Sequence, residues 1–392
     1  MGRLRIALDL SCVMEAQLTG VGYAAAYQVR ALLARGDEFD FRFVATRPRG
    51  GEDALHDVAD AFTRRVVLPH AGLIRYFLWS WLDWPPIEWF SGEVDIAHNL
   101  SHQVPATRRA RRLVTVHDLS VLRVPDTHSA RNVRLQTALL RQCARRGDAF
   151  IAVSESCRRD LIELLDVAPE RIHHVPNGIC LDEFDGPLDN EALAALKNRL
   201  GVNRDYLIHL GTIEPRKNIP ALLDAYSRIR RRRTDYPQLL LVGKPGWLSG
   251  PIYEAIEAAC VRDARSPAGD VVTAGYLSRR DALTLLRGAV ACAYPSRYEG
   301  FGLPVLEAMA SRVPVITSNV SALPEVVGDT GLLVDPNDVE SIEAALAEVL
   351  DHPEQARARL DAAERRARTF TWAQSAERLA GVYRRLASEP IN

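Results

Sequence analysis

Short apolar runs, rich in β-branched and aromatic residues, recur along the chain. Longer stretches between them place their apolar residues at intervals of three and four. Runs of the first kind are predicted to be buried strands, and the stretches between them amphipathic helices. One strand series falls at 5–10, 41–45, 113–117, 149–153 and 171–175, and a second at 206–210, 238–242, 271–274, 289–294 and 313–317. Strands alternating with helices build parallel sheets covered on both faces, so the fold class is α/β. The segment 177–190 (NGICLDEFDGPLDN) breaks the pattern with Gly, Asp, Asn and Pro and is the expected linker. It divides the chain into 1–178 and 186–370, each sized for one doubly wound sheet with ligands at the C-terminal strand ends. Two such sheets are expected to leave a ligand-binding cleft between them. At the end of the chain, Thr371 and Gln374 form a capping box. The apolar stripe Trp372, Ala376, Leu379, Tyr383 and Leu386 then predicts a separate helix within 371–392.

The length, 392 residues, suits two to three domains, and 47% hydrophobic with 25% charged residues excludes a disordered or fibrous chain. A formal net charge of −1 does not mark a binder of nucleic acid. No apolar run approaches the length of a membrane-spanning helix. The first twelve residues, with Arg3, Arg5 and Asp9 among apolar neighbours, read as a strand and not as a signal peptide. Six cysteines (12, 143, 157, 180, 260, 292) form no C-x-x-C and no zinc spacing, which fits free thiols in a reducing cytoplasm. Of 49 basic residues only Lys197, Lys217 and Lys244 are lysines, positions at which Arg is not an equal substitute.

Two segments carry candidate chemistry. In YPSRYEGFGLPVLEAMA (294–310) a strand runs into a glycine-bearing loop, and a helix starts near Leu303 or Pro304. Gly300 and Gly302 permit close backbone approach, and a helix N-terminus suits a phosphate. Glu299 and Glu307 then suit hydroxyls, as on a sugar and a ribose; the same pattern also fits an ordinary turn with two surface glutamates. In LIHLGTIEPRKNIPALLDA (207–225), Arg216 and Lys217 precede a helix at the end of a strand. They could neutralise a pyrophosphate or remain solvated.

Taken together, GTIEPRKN, GKPGW (243–247) and the run from Tyr294 to Asp338 resemble family 4 of the retaining nucleotide-sugar glycosyltransferases. The likeness is to its bacterial mannosyltransferase-like branch, which builds O-antigens, lipopolysaccharide and exopolysaccharides. It is strong over about 150 residues and extends through VTVHDLS (114–120), AVSESCRRDL (152–161) and VPNGI (175–179). The resemblance implies a GT-B architecture: two Rossmann-like domains, with the nucleotide-sugar donor on the second and the acceptor on the first. It also implies a last helix crossing back to the first domain. Carried over by position, Lys217 contacts the donor diphosphate with help from Arg216. Glu299 bonds the transferred sugar, and Glu307 bonds the ribose. The amides of Phe301, Gly302 and Leu303 meet sugar and phosphate. His117 contacts the sugar near the reacting carbon, and Gly20 and Gly22 (TGVG) stand in a glycine loop near the phosphates. Gly211, Thr212 and Lys244 complete the donor set. The sequence departs from the family at Thr212, where an Arg is common, and at Tyr23, where a basic residue is common. The implied reaction moves a hexose, mannose from GDP-mannose, onto a lipid-linked or growing polysaccharide, with no cofactor or metal because no D-x-D lies in a plausible donor site. Fixed cations would stabilise the departing diphosphate, which itself takes the acceptor proton. GDP-rhamnose, or a UDP- or dTDP-sugar, is the alternative donor. An epimerase, a phosphorylase and an inactive binding subunit fit less well. A dehydrogenase lacks its G-x-G-x-x-G.

Four of the six tryptophans lie in YFLWSWLDWPPIEWF (76–90), where Pro85 and Pro86 break any long helix. The segment reads either as packing on the first domain or as an aromatic surface for the acceptor. Arg108, Arg109, Arg111 and Arg112 read as a solvated strand edge or as contacts to anionic lipid, giving a cytoplasmic protein with possible peripheral contact to the inner face of the membrane. Arg230–Arg233 is expected to end a helix, where cations favour the dipole.

Overall fold

The computed structural model describes residues 3–14, 18–45, 66–67, 77–263 and 266–389. The chain forms two compact units: Met1–Leu122 with Arg131–Gly178 and Phe370–Asn392, and Arg123–Ala130 with Ile179–Thr369.

In unit 1 the described strands β1 (Leu4–Asp9), β2 (Phe39–Ala45), β3 (Val66–Val67), β4 (Ile96–Asn99), β5 (Arg111–Val116), β6 (Ala149–Ala152) and β7 (Ile172–His174) pair in parallel, in the order β3-β2-β1-β4-β5-β6-β7. The strand order reverses between β1 and β4. β4 was not predicted: its four residues, IAHN, include polar His98 and Asn99. Burial makes those polar groups structural. His98 bonds the Tyr383 hydroxyl at 2.7 Å and Thr115 Oγ1 at 2.8 Å, and its pKa falls to about 3 because it is cut off from water. Tyr383 belongs to the C-terminal helix Trp372–Ser388, whose predicted apolar stripe is entirely buried in unit 1 beside the helix Gly20–Leu33. The Thr371 hydroxyl caps it by accepting from the Gln374 amide at 3.2 Å. A Cβ at Gly178 would lie 2.4 Å from the Thr371–Trp372 backbone, so this close passage requires glycine.

In unit 2 the described strands β8 (Tyr206–Leu210), β9 (Gln238–Val242), β10 (Val271–Gly275), β11 (Ala291–Tyr294), β12 (Val315–Ser318) and β13 (Leu332–Val334) are also parallel, in the order β10-β9-β8-β11-β12-β13. The second predicted series matches β8 to β12, while three-residue β13 is too short to show a pattern. Unit 2 also takes up 123–130, which the sequence division had placed in the first domain. Trp247 Nε1 donates to the Thr127 carbonyl at 2.8 Å, the Trp247 indole stacks on His128 at 5.0 Å, and Arg297 bonds Asp126 at 2.5 Å. These contacts span more than a hundred residues and leave no periodic trace. Arg230–Arg232 close the helix Ile219–Arg232 as expected, and Arg233 is its C-cap.

Candidate functional site

The order of the unit 2 sheet reverses between β8 and β11, and ligands of such sheets bind where this happens, outside the C-terminal strand ends. The loops leaving β8 and β11 carry the two candidate segments. They are joined by the Arg297 amide, which donates to the Arg216 carbonyl at 2.9 Å, and by Asn218 Nδ2, which donates to Pro295 O at 3.1 Å. Gly211 has φ +148°, and a Cβ there would touch the Lys217 stem at 3.3 Å. The GKPGW loop after β9 lies along the same turn: Ile213 N donates to Lys244 O at 2.9 Å, and a Cβ on Gly243 would collide with the Gly211 carbonyl. Thr212 and Lys244 therefore belong to adjoining strands of one loop layer.

Inside this layer is a buried ionic cluster. Lys217 Nζ lies 2.6 Å from Glu299 Oε1 and 2.6 Å from the Tyr294 hydroxyl. Arg216 pairs with Glu299 Oε2 at 2.8 Å, with Glu214 Oε1 at 2.7 Å, and donates to the Tyr298 carbonyl at 2.8 Å. Burial alone would raise the Glu299 pKa, but Arg216 and Lys217 outweigh it and hold the carboxyl at about 2. Glu214, more deeply enclosed, is pushed up by burial against the pull of Arg216. Burial, then the Arg216 charge, lowers Lys217. Arg216 and Lys217 are thus not solvated, and Glu299 is not a surface glutamate.

The helix Leu303–Ala310 begins beside Glu299. Gly302 is its N-cap at φ +101°, a left-handed conformation suited to glycine, and a Cβ there would meet Leu323 at 2.7 Å. The first amides of a helix have no acceptor inside it, so Gly302 and Leu303, next to buried Phe301, offer N–H groups at the edge of the cluster. One turn inside, buried Glu307 is bonded through Oε1 by Arg279, which also grips Glu183 with Nη2 at 2.9 Å. Burial raises the Glu307 pKa, and Arg279 opposes that rise.

The unit 1 candidates are placed separately. His117 follows β5, is half-buried, and donates from Nε2 to the Leu100 carbonyl at 2.9 Å. Burial lowers its pKa, so the ring is neutral with Nδ1 as acceptor. Gly20 and Gly22 are not in a loop, contrary to expectation: they form the first turn of the helix Gly20–Leu33. Thr19 is the extended N-cap, and its carbonyl accepts from Tyr23 N at 3.0 Å. Gly22 serves packing, since a Cβ would press on Leu18 at 2.9 Å, whereas Gly20 faces open space.

The sequence reading missed Glu214, Tyr294, Arg279 and Glu183. Glu214 adjoins Arg216 in the motif and could have been noticed as its counter-ion. Arg279 lies 96 positions from Glu183, beyond any local pattern.

Two Rossmann-like parallel sheets, one carrying buried cations and a glycine-capped helix at its switch point, define a GT-B glycosyltransferase. The chain belongs to glycosyltransferase family 4: the model described as Glycosyltransferase Family 4 matches residues 18–183, and Glycosyl transferases group 1 matches 195–367. O-antigen chain mannosyltransferase B of Escherichia coli is 34% identical over 280 residues, 71% of each chain. The MMP alpha-(1->4)-mannosyltransferase of Mycolicibacterium hassiacum is 33% identical over 62% of this chain and 55% of its own. Among solved structures, sucrose-phosphate synthase of Thermosynechococcus elongatus superposes with a TM-score of 0.72 at 20% identity, covering 98% of this chain and 99% of its own. No described helix is long and apolar enough to cross a membrane.

Proposed function

We propose that this glycosyltransferase transfers mannose from GDP-mannose, with retention of configuration and without a metal, onto a lipid-linked or growing polysaccharide at the inner face of the cytoplasmic membrane. The reading rests on the Arg216–Lys217–Glu299 cluster beside the Gly302 and Leu303 amides at the start of the helix Leu303–Ala310. The mannosyltransferase relatives support the choice of sugar. Lys217 has three N–H donors; two are committed to Glu299 and Tyr294, and the third is available to the donor diphosphate. Leaving-group departure places charge on that diphosphate, where a fixed cation and oriented amides act most strongly. Glu299 stays ionised and accepts hydrogen bonds from sugar hydroxyls. Glu307, steadied by Arg279, accepts from the ribose. The departing phosphate takes the acceptor proton as the glycosidic bond forms on the face it leaves. Within unit 1, His117 Nδ1 is an acceptor for a sugar hydroxyl.

The test is a titration of the purified chain with GDP-mannose, GDP, UDP-glucose, UDP and dTDP, read by calorimetry and thermal stabilisation. A selective response to GDP and GDP-mannose is expected, and a uridine- or thymidine-selective response overturns the donor assignment. Turnover should survive EDTA; complete loss restored by Mn²⁺ refutes the metal-free mechanism.

A further inference from the structure

Five large apolar side chains stand exposed on one short stretch of unit 1: Phe77, Trp81, Leu82, Trp84 and Trp89, each about half accessible to solvent. Tyr76, the first residue of that aromatic segment, lies outside the described residues. The stretch is well anchored. Trp79 is buried, and its Nε1 donates to the Pro85 carbonyl at 3.0 Å. Asp83, at the end of the turn Leu78–Leu82, binds Arg112 at 2.8 Å and also Arg146. Trp84 meets Trp89 edge-on at 5.9 Å. The core therefore holds these side chains outward, and so large an exposed apolar group marks an interaction surface.

Charge identifies the partner. The Arg108 guanidinium lies over the Trp89 ring at 5.4 Å. Exposed Arg108 and Arg109 have no carboxylate partner among the described residues; Glu88 is occupied with the backbone amides of 108–110. The helix Ala130–Arg146 holds five arginines and no acid. Its Arg141 and Arg145 are exposed and likewise without a carboxylate partner among the described residues. This helix and the tryptophan stretch cover the same face of the sheet: Trp79 shares a buried cluster with Ala97 of β4, while Leu140 and Cys143 share one with Val114 of β5. In the β4–β5 register Ala97 faces Arg112 and Asn99 faces Val114, which puts both groups on one side.

We propose that this face of unit 1, with Trp81, Leu82 and Trp84 as the inserted group and Arg108, Arg109, Arg141 and Arg145 as the cationic rim, docks on an anionic lipid bilayer. Indole rings favour the headgroup level of a membrane. Guanidinium forks match phosphate oxygens, and long arginine stems lie along apolar surface while their charged ends reach outward. A neutral glycan leaves the unpaired cations without counter-charge, so the cationic rim selects the lipid. This deepens the proposed function by naming the surface through which the chain reaches a lipid-linked acceptor.

The experiment is flotation of the full chain with vesicles of phosphatidylcholine alone and with phosphatidylglycerol added, at low and high salt. Binding to the anionic vesicles that weakens with salt is expected. Trp81→Ser with Trp84→Ser, and separately Arg108→Gln with Arg109→Gln, should each reduce it at least tenfold while nucleotide binding by calorimetry is unchanged. Equal flotation with both vesicle types, or unchanged flotation of both variants, overturns the proposal. A concentration-dependent dimer in sedimentation that the Trp variant abolishes assigns the patch to a second copy and also overturns it. Vesicle binding without any nucleotide response would sink the donor reading alone, and the reverse pattern would sink this proposal alone.

Discussion

Lys217→Ala tests the phosphate role most directly. The ammonium is buried, 2.6 Å from Glu299 and from the Tyr294 hydroxyl, so it is fixed before any ligand arrives. A unit charge about 4 Å from a developing phosphate charge contributes roughly 4 kcal/mol at an effective dielectric constant near 20. Deleting one fixed donor from such a site costs about 3–4 kcal/mol in measured cases, or roughly 10²–10³ in kcat. We expect kcat/KM to fall by more than tenfold, with that range as the upper expectation. Folding should suffer less than when a buried charge loses its only partner, because Arg216 stays 2.8 Å from Glu299. Arg216 also explains why a melting curve must accompany the kinetics: it separates lost chemistry from lost fold. Lys217→Arg keeps the charge, but a planar fork does not reproduce the paired contacts to Glu299 and Tyr294, so only partial recovery is expected. A folded Lys217→Ala protein with the wild-type kcat/KM would remove Lys217 from the phosphate site.

Further outcomes follow from the same contacts. Glu307→Ala should weaken GDP binding in calorimetry more than it changes sugar choice, and unchanged affinity sinks the ribose role. Arg279→Met, which frees the Glu307 carboxyl and strengthens the raising effect of its burial, should move the acid-side change in nucleotide affinity to higher pH than in the wild type; a superimposable pH profile refutes that positioning. Tyr383→Phe strands His98 Nδ1 in the core and should cost about 1–3 kcal/mol in urea unfolding; an unchanged midpoint contradicts it. The acid dependence has a definite sign. Glu299 titrates at about 2 in the fold and near 4.5 when free, so its contribution is complete above 4.5 and is lost as pH falls toward 2. Glu299→Gln should flatten the fall in stability over that window, and an identical slope in both proteins argues against the pairing.

Much of the fold was legible because buried parallel strands are continuous apolar runs. β8 (Tyr206–Leu210) and β9 (Gln238–Val242) match the predicted bounds in full. β4 escaped because His98 and Asn99 look like loop residues until Tyr383, 285 positions away, is brought to them. The motif Glu-Pro-Arg-Lys displayed its cations but not their burial, since the partner Glu299 comes from a different loop. TGVG was misread for the opposite reason: its glycines suggested a loop, while the structure uses Gly22 to let a helix press on Leu18 and Cys12. Local chemistry is visible in a sequence; the register that brings two distant loops together is not.

The buried cluster is better explained by chemistry than by stability. Glu214, Arg216, Lys217 and Glu299 bring two cations and two carboxylates out of water. Each such transfer costs several kcal/mol, which ion pairing only offsets, so well-packed apolar residues would hold these loops at least as firmly. What the cluster supplies instead is a fixed state of charge. With its pKa held at about 2, Glu299 is a carboxylate throughout the working pH range and has no proton to give and little tendency to take one. A group in that condition can accept hydrogen bonds and is a poor general base. Lys217 is held in place by that same carboxylate and by the Tyr294 hydroxyl. An ionised, cation-bound Glu299 is in keeping with the proposed mechanism, in which the departing phosphate takes the acceptor proton.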